Sequence, residues 1–187
     1  QTDAQANQGK LPELTDADHA DPHRTTLPRY WVAQGELDAR LDGRWDREWL
    51  IGWRDITLST NVRTLIASLI PRAGVGHTLP LLMSETAPGL LACLYANFCT
   101  FPLDYAARQK VGGSHLTYGY LRQLPIINRE VYDDSPAWDR LISLRNWLLP
   151  RTLELTYTAW DLQPFAIDCG DEGPPFTLVR IARSRRA

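Results

Sequence analysis

Long apolar runs are missing from this chain of 187 residues. No stretch of eighteen apolar residues occurs, which excludes a transmembrane helix. The richest stretch, 90–101, is interrupted by Asn97 and Thr100. The first 28 residues are polar and acidic, unlike the basic and then apolar pattern of a secretory leader. Cysteine is scarce as well. Cys93, Cys99 and Cys169 are odd in number and share no CxxC spacing, so neither a disulfide framework nor a structural zinc site is expected. Cys93 and Cys99 sit among apolar neighbours and read as core residues, and a reducing, cytoplasmic setting fits. The four histidines are scattered with no HExxH. No GxGxxG, GxxxxGK[ST] or GxSxG is present, which removes the common dinucleotide, P-loop and nucleophile-elbow signatures. Asp133-Asp134 before Pro136 reads as a solvated turn. Methionine is limited to Met83 and residue 1 is Gln, so the chain is expected to be a fragment or a processed product.

What is present is ordinary in bulk: 44% hydrophobic and 22% charged residues, enough to bury a core without metal or disulfides. The formal net charge of −2 hides an uneven distribution. Residues 1–28 carry two basic and five acidic groups, residues 40–130 ten and seven, and residues 131–174 three and eight. The last thirteen residues carry four arginines and no acid. Arginine far outnumbers lysine. That excess is open to two readings: a base composition that favours Arg codons, or the bidentate contacts that guanidinium makes to phosphate and guanine.

Patterning divides the chain into a flexible entry segment (1–28), an ordered part (29–176) and a basic tail (177–187). Aromatic and β-branched residues predict strands at 29–32, 49–57 and 64–70, with Pro71 as a stop, and a further short strand at 79–83. The second and third of these pair as a hairpin whose tip carries Thr60, Asn61 and Arg63. A short helix is expected at 36–41. Leu90, Leu94 and Phe98 recur at helical spacing, and Pro102 divides 87–110 into two helices, the second ended by Gly112-Gly113. A short amphipathic turn or helix follows at 116–124. Pro136 is expected to open a helix bearing Trp138, Leu141 and Leu148, and Pro150 to separate it from another at 151–165. Strands first and helices later give an α+β fold, its C-terminal half mainly helical.

Two blocks carry chemistry. Arg108-Gln109-Lys110-Val111-Gly112-Gly113-Ser114-His115 joins two cations, a double glycine, a hydroxyl and an imidazole. It reads either as an anion site built on exposed backbone N–H groups, or as a helix C-terminus whose cations answer the dipole. Arg54-Asp55-Ile56-Thr57-Leu58-Ser59-Thr60-Asn61-Val62-Arg63-Thr64 holds residue types that read adenine and guanine, or else forms a polar hairpin loop. Trp45, Trp49 and Trp53, four residues apart, read as core rather than as base-stacking platforms.

In their order, WRDITLSTNVRTLIASLIPRAGVGHTLPLL, then YAARQKVGGSHLTYGYLRQLPI, then PRTLELTYTAWDLQPFAIDCGDEGPPF, these segments resemble the C-terminal target-recognition region of large bacterial adenine-N6 DNA methyltransferases. Such enzymes include fused type IIG restriction-modification enzymes and related phage-defence methylases. The stretch from the Gly-Gly turn to Leu124-Pro125-Ile126 is also similar to the end of target-recognition domains in type I specificity subunits. The resemblance covers about residues 29–176. It implies a double-stranded DNA-binding module joined to an N-terminal methyltransferase domain that holds S-adenosylmethionine. The methylation motif, Asn/Asp-Pro-Pro-Tyr/Phe, is not in this chain, nor is a nuclease signature, so no catalytic residue, cofactor or metal is expected here. On this footing Arg54, Asn61, Arg63, Arg72 and His77 become candidate base or phosphate contacts, and Arg108, Lys110, Gly112, Gly113, Ser114 and His115 candidate backbone contacts. The alternative is a protein-docking module for a partner restriction or defence subunit, with the Trp-rich region 135–165 as its surface.

Overall fold

The computed structural model describes residues 14–25 and 30–177. The elements in chain order are α1 (Asp16–Ala20), α2 (Gln34–Leu41), β1 (Trp49–Trp53), β2 (Ala67–Pro71), β3 (Leu81–Leu82), α3 (Pro88–Phe98), α4 (Phe101–Lys110), α5 (Tyr118–Leu121), α6 (Leu144–Thr156) and α7 (Gln163–Asp168). Single 3₁₀ turns lie at Arg129–Tyr132 and Trp160–Leu162. The fold is α+β, as the patterning indicates. No helix among the described residues is long and apolar enough to cross a membrane.

β1 is the centre of a three-stranded antiparallel sheet in the order β2-β1-β3. Its sequence Trp-Leu-Ile-Gly-Trp is buried on both faces, hence its continuous apolar character. Register is Trp49 opposite Pro71, Ile51 opposite Leu69 and Trp53 opposite Ala67. Pro71 closes β2 at the edge of the sheet, where its missing N–H costs no ladder bond. Gly52 is dictated by space: a Cβ there would stand 3.0 Å from the Pro80 carbonyl oxygen and 3.1 Å from Leu79.

Three apolar clusters stack along α3. The largest joins Trp45, Trp49, Leu50 and Ile51 to Leu91, Leu153, Tyr157 and Phe165. A second gathers Trp53, Leu65, Phe98, Leu103, Ala107, Val111, Leu116 and Leu124, and a third Leu90, Cys93 and Tyr132. The tryptophan series is core. Trp45 and Phe165 pack edge-on against Trp49, whose indole N–H donates to Asp168 at 2.7 Å; Trp53 donates to the Leu116 carbonyl at 2.7 Å.

Several expectations are corrected. Tyr30-Trp31-Val32 forms no strand and is largely exposed, lacking a sheet edge to join; Arg29 lies outside the described residues. Pro102 does not break a helix but sits in the first turn of α4, where its absent N–H is one of the orphans; the break falls at Cys99-Thr100, and Thr100 caps α4. Cys99 is accordingly exposed rather than core. Pro136 opens a turn, and α6 starts at Leu144, where Ser143 accepts from the Asn146 N–H. Pro150 lies inside α6 and does not end it. Pro150 and Asn146 are both exposed, so the helix bond that proline cannot donate to Asn146 is lost on the solvent side. The double glycine supplies no left-handed cap. α4 ends on extended Val111, and Gly43 and Gly170 are the described glycines with positive φ. Gly170 closes α7: the Gly170 N–H donates to Ile167 and the Asp171 N–H to Ala166, the double bond of a Schellman cap. Within the entry segment, Thr15 and Asp18 form a capping box on α1, and the Pro22 carbonyl accepts from the Trp160 N–H. Residues 178–187 of the basic tail lie outside the described residues.

Candidate nucleic-acid interface

Beyond Trp53 the chain bends at Asp55 but burial keeps alternating: Trp53, Asp55 and Thr57 are buried, while Arg54, Ile56 and Leu58 are exposed. This edge pairs with the segment after α4. The Leu116 N–H donates to the Asp55 carbonyl at 2.8 Å and the Thr57 N–H to the Ser114 carbonyl at 3.0 Å, with an antiparallel bridge between Ile56 and His115. The Asp55 N–H donates to Thr78, next to His77. The two blocks singled out in the sequence, about fifty residues apart, are therefore one surface.

A buried carboxylate sets the loop that follows. Asp104, on the inward stripe of α4 with Ala107 and Val111, accepts from the N–H groups of Thr64 and Leu65, both at 2.8 Å. Arg63 and Arg108 flank it at 3.5 and 3.4 Å. Arg108 also donates to the Asn61 and Val62 carbonyls, and Arg63 to the Cys99 carbonyl at the end of α3. Inside the loop, the Thr57 hydroxyl donates to the Thr64 carbonyl and accepts from the Asn61 amide.

The candidate residues thus divide. Arg54, Lys110, Gly112, Gly113, Ser114, His115 and His77 are exposed along or beside the joined edge. A Cβ at Gly112 or Gly113 would meet nothing within 4 Å, so the turn is open to solvent rather than packed. Arg63, Arg108 and Asn61 spend hydrogen bonds within the protein, though their side chains keep partial exposure. Arg72 is set apart. It follows β2 at the Trp49 end of the ribbon, about 17 Å along from the Trp53 end at ~3.4 Å per residue, and pairs with Asp38 at 2.6 Å. That hydrogen bond holds the Asp38 carboxyl below its ordinary range.

Asp55 and Asp104 are the residues the sequence reading passed over. Both had a signal. Asp55 occupies the inward phase of an alternating strand, and Asp104 shares a helical stripe with apolar Ala107 and Val111 while Arg108 follows four residues on. The surface carries four cations (Arg54, Arg63, Arg108, Lys110) against these two buried carboxylates, a local net charge of +2. Its exposed part is cationic because its acids face inward.

The cysteines offer no competing chemistry. Burial pushes the Cys93 thiol up to about 11 and that of Cys169 to about 12; Cys99 is exposed as a residue, but partial desolvation of its thiol raises it as well. Asp133 pairs with Arg145 at 2.8 Å, and no group of three or more metal-ligating side chains occurs among the described residues. Comparison with protein-family models, curated proteins and solved structures finds no match to the chain.

Proposed function

We propose that this chain is the sequence-specific DNA-recognition module of a bacterial adenine-N6 DNA methyltransferase serving restriction-modification or phage defence. One observation carries the reading. The two blocks that bear the family resemblance meet edge to edge, and their meeting leaves Arg54, Lys110, His115 and an open Gly-Gly turn on one cationic surface. Arg54 and Lys110 supply phosphate contacts, which fix register without reading sequence. The Gly112-Gly113 backbone lets a phosphate approach closely. The rigid loop backed by Asp104 presents Thr60 and the partly exposed Asn61 beside them.

The methyl donor S-adenosylmethionine belongs to the N-terminal methyltransferase domain of the same polypeptide. The antiparallel sheet described here has no strand running through a glycine-rich turn into a helix, and no step of methyl transfer is assigned to these residues. The chain's net charge near zero fits a module that shares its grip on DNA with that domain.

The test is the salt dependence of affinity for a mixed-sequence duplex in the complete enzyme. Removing Arg54 or Lys110 (R54A, K110A) is expected to weaken binding and lower the slope of log K against log salt by about one each. An unchanged slope in both variants contradicts the assignment. A second reading, docking of a partner subunit, draws on Trp138, Leu141 and Leu155, which are 65%, 94% and 80% exposed around α6. Substituting these three with polar residues separates the two: loss of a co-purifying subunit with methylation intact favours docking.

A further inference from the structure

We infer that Asp55 is a positioning residue that fixes the tautomer of His115, so that the imidazole in its uncharged form presents Nε2 outward as a hydrogen-bond acceptor for an exocyclic amino group of a DNA base, adenine N6 or cytosine N4. The base contact rests on the DNA-recognition reading; the tautomer does not.

His115 Nδ1 lies 2.5 Å from Asp55 Oδ2. The two side chains differ sharply in setting: that of Asp55 is 11% exposed and that of His115 is 53% exposed. A carboxylate only accepts, so in the neutral ring the proton sits on Nδ1 and the lone pair on Nε2. Nε2 has no protein partner among the described residues. The pair is framed by backbone on both sides, through the Leu116 N–H on the Asp55 carbonyl and the bridge of Ile56 with His115. The imidazole is therefore held in place and in orientation before any ligand arrives. Gly112 and Gly113 carry no side chains to block the approach to it.

An outward lone pair selects its partner. It repels a phosphate oxygen, which Arg54 and Lys110 are suited to take. It matches the amino donors that adenine and cytosine place in the major groove, and is mismatched against guanine O6 and thymine O4. His115 is then a specificity-determining residue, and Asp55 acts on DNA only through it.

Two measurements test this. The first is nitrogen NMR of the histidine-labelled chain without DNA in mildly alkaline buffer, with H115Q identifying the signal. The expected pattern is a neutral ring protonated at Nδ1; protonation at Nε2, in a neutral or cationic ring, overturns the inference. The second is a double-mutant cycle in the complete enzyme, read as selection from a pool of random duplexes. H115A is expected to relax preference at one position by roughly 5- to 10-fold, the scale of one base-edge hydrogen bond. D55A is expected to do the same alone and to add nothing to H115A, while D55N, whose amide oxygen still accepts from Nδ1, keeps the preference. A further loss when D55A is added to H115A would show a merely structural role. If R54A and K110A weaken DNA binding while H115A leaves the preference intact, the inference fails and the recognition reading stands. If none of these variants changes DNA binding, both fail.

Discussion

Replacing Asp104 with alanine removes the group on which the loop between Thr57 and Leu65 hangs. Its Oδ1 accepts two backbone N–H groups from Thr64 and Leu65, and both residues are fully buried. Each N–H left unpaired costs about 1–3 kcal/mol. Arg63 and Arg108 also lose their counter-charge, and breaking one side of a buried ionic cluster costs about 3–5 kcal/mol in all. Both guanidiniums keep carbonyl acceptors and partial contact with water, so the lower part of that range applies. D104A is therefore expected to lose about 3–4 kcal/mol in urea unfolding, equivalent to roughly 6–16 °C in Tm for a domain of this size. D104N keeps one carbonyl oxygen for the two N–H groups but turns an amide toward Arg108, and is expected to lose about half as much. Hydrogen exchange gives a local readout: the Thr64 and Leu65 amides should lose protection in D104A ahead of those in β1. A loss below ~1 kcal/mol with protection unchanged would refute the view that this carboxylate builds the loop.

Three further outcomes follow from the same geometry. Gly170 at φ 87° closes α7, so G170A is expected to cost about 1–2 kcal/mol in chemical denaturation. Gly112 and Gly113 have neither positive φ nor a neighbour within reach of a Cβ, so G112A and G113A are expected to leave Tm unchanged while weakening DNA affinity; a drop in Tm would show that the turn is structural. Burial raises Cys93 to about 11, Cys169 to about 12 and Tyr132 to about 12. The unfolded chain ionises these groups near their ordinary values and so binds fewer protons at high pH. Stability is expected to be full below about pH 8.5 and to fall as pH rises from about 9 toward 12; a flat profile by urea titration would contradict it.

Much of the fold was legible where burial leaves a simple period. β1 shows as an unbroken apolar run because both of its faces are covered. α3 shows through Leu90, Leu94 and Phe98. The errors gather at prolines and at the chain's edges. The local rule treats Pro102, Pro136 and Pro150 alike, but a proline in a helix's first turn, one opening a turn and one on an exposed mid-helix face are told apart only by the caps at Thr100 and Ser143. Tyr30-Trp31-Val32 has strand composition but no edge to pair with, which only tertiary structure decides. At the candidate site the sequence supplied both loops and their chemistry. It could not supply their pairing, because the contacts of Asp55 with His115 and of Asp104 with Thr64 span 60 and 40 residues. That pairing also decides which cations stay available: Arg63 and Arg108 are taken up by the fold, and Arg54 and Lys110 are left exposed.

The central claim is that this chain chooses the DNA sequence on which a methyltransferase acts. The most direct measurement is to express the complete gene in a methylation-free bacterial host and map N6-methyladenine across the genome by long-read sequencing, beside the same gene with residues 29–176 exchanged for the matching block of a related enzyme. The account predicts one methylated motif for the intact gene and a different motif after the exchange. The same motif from both would contradict it and place specificity outside this chain.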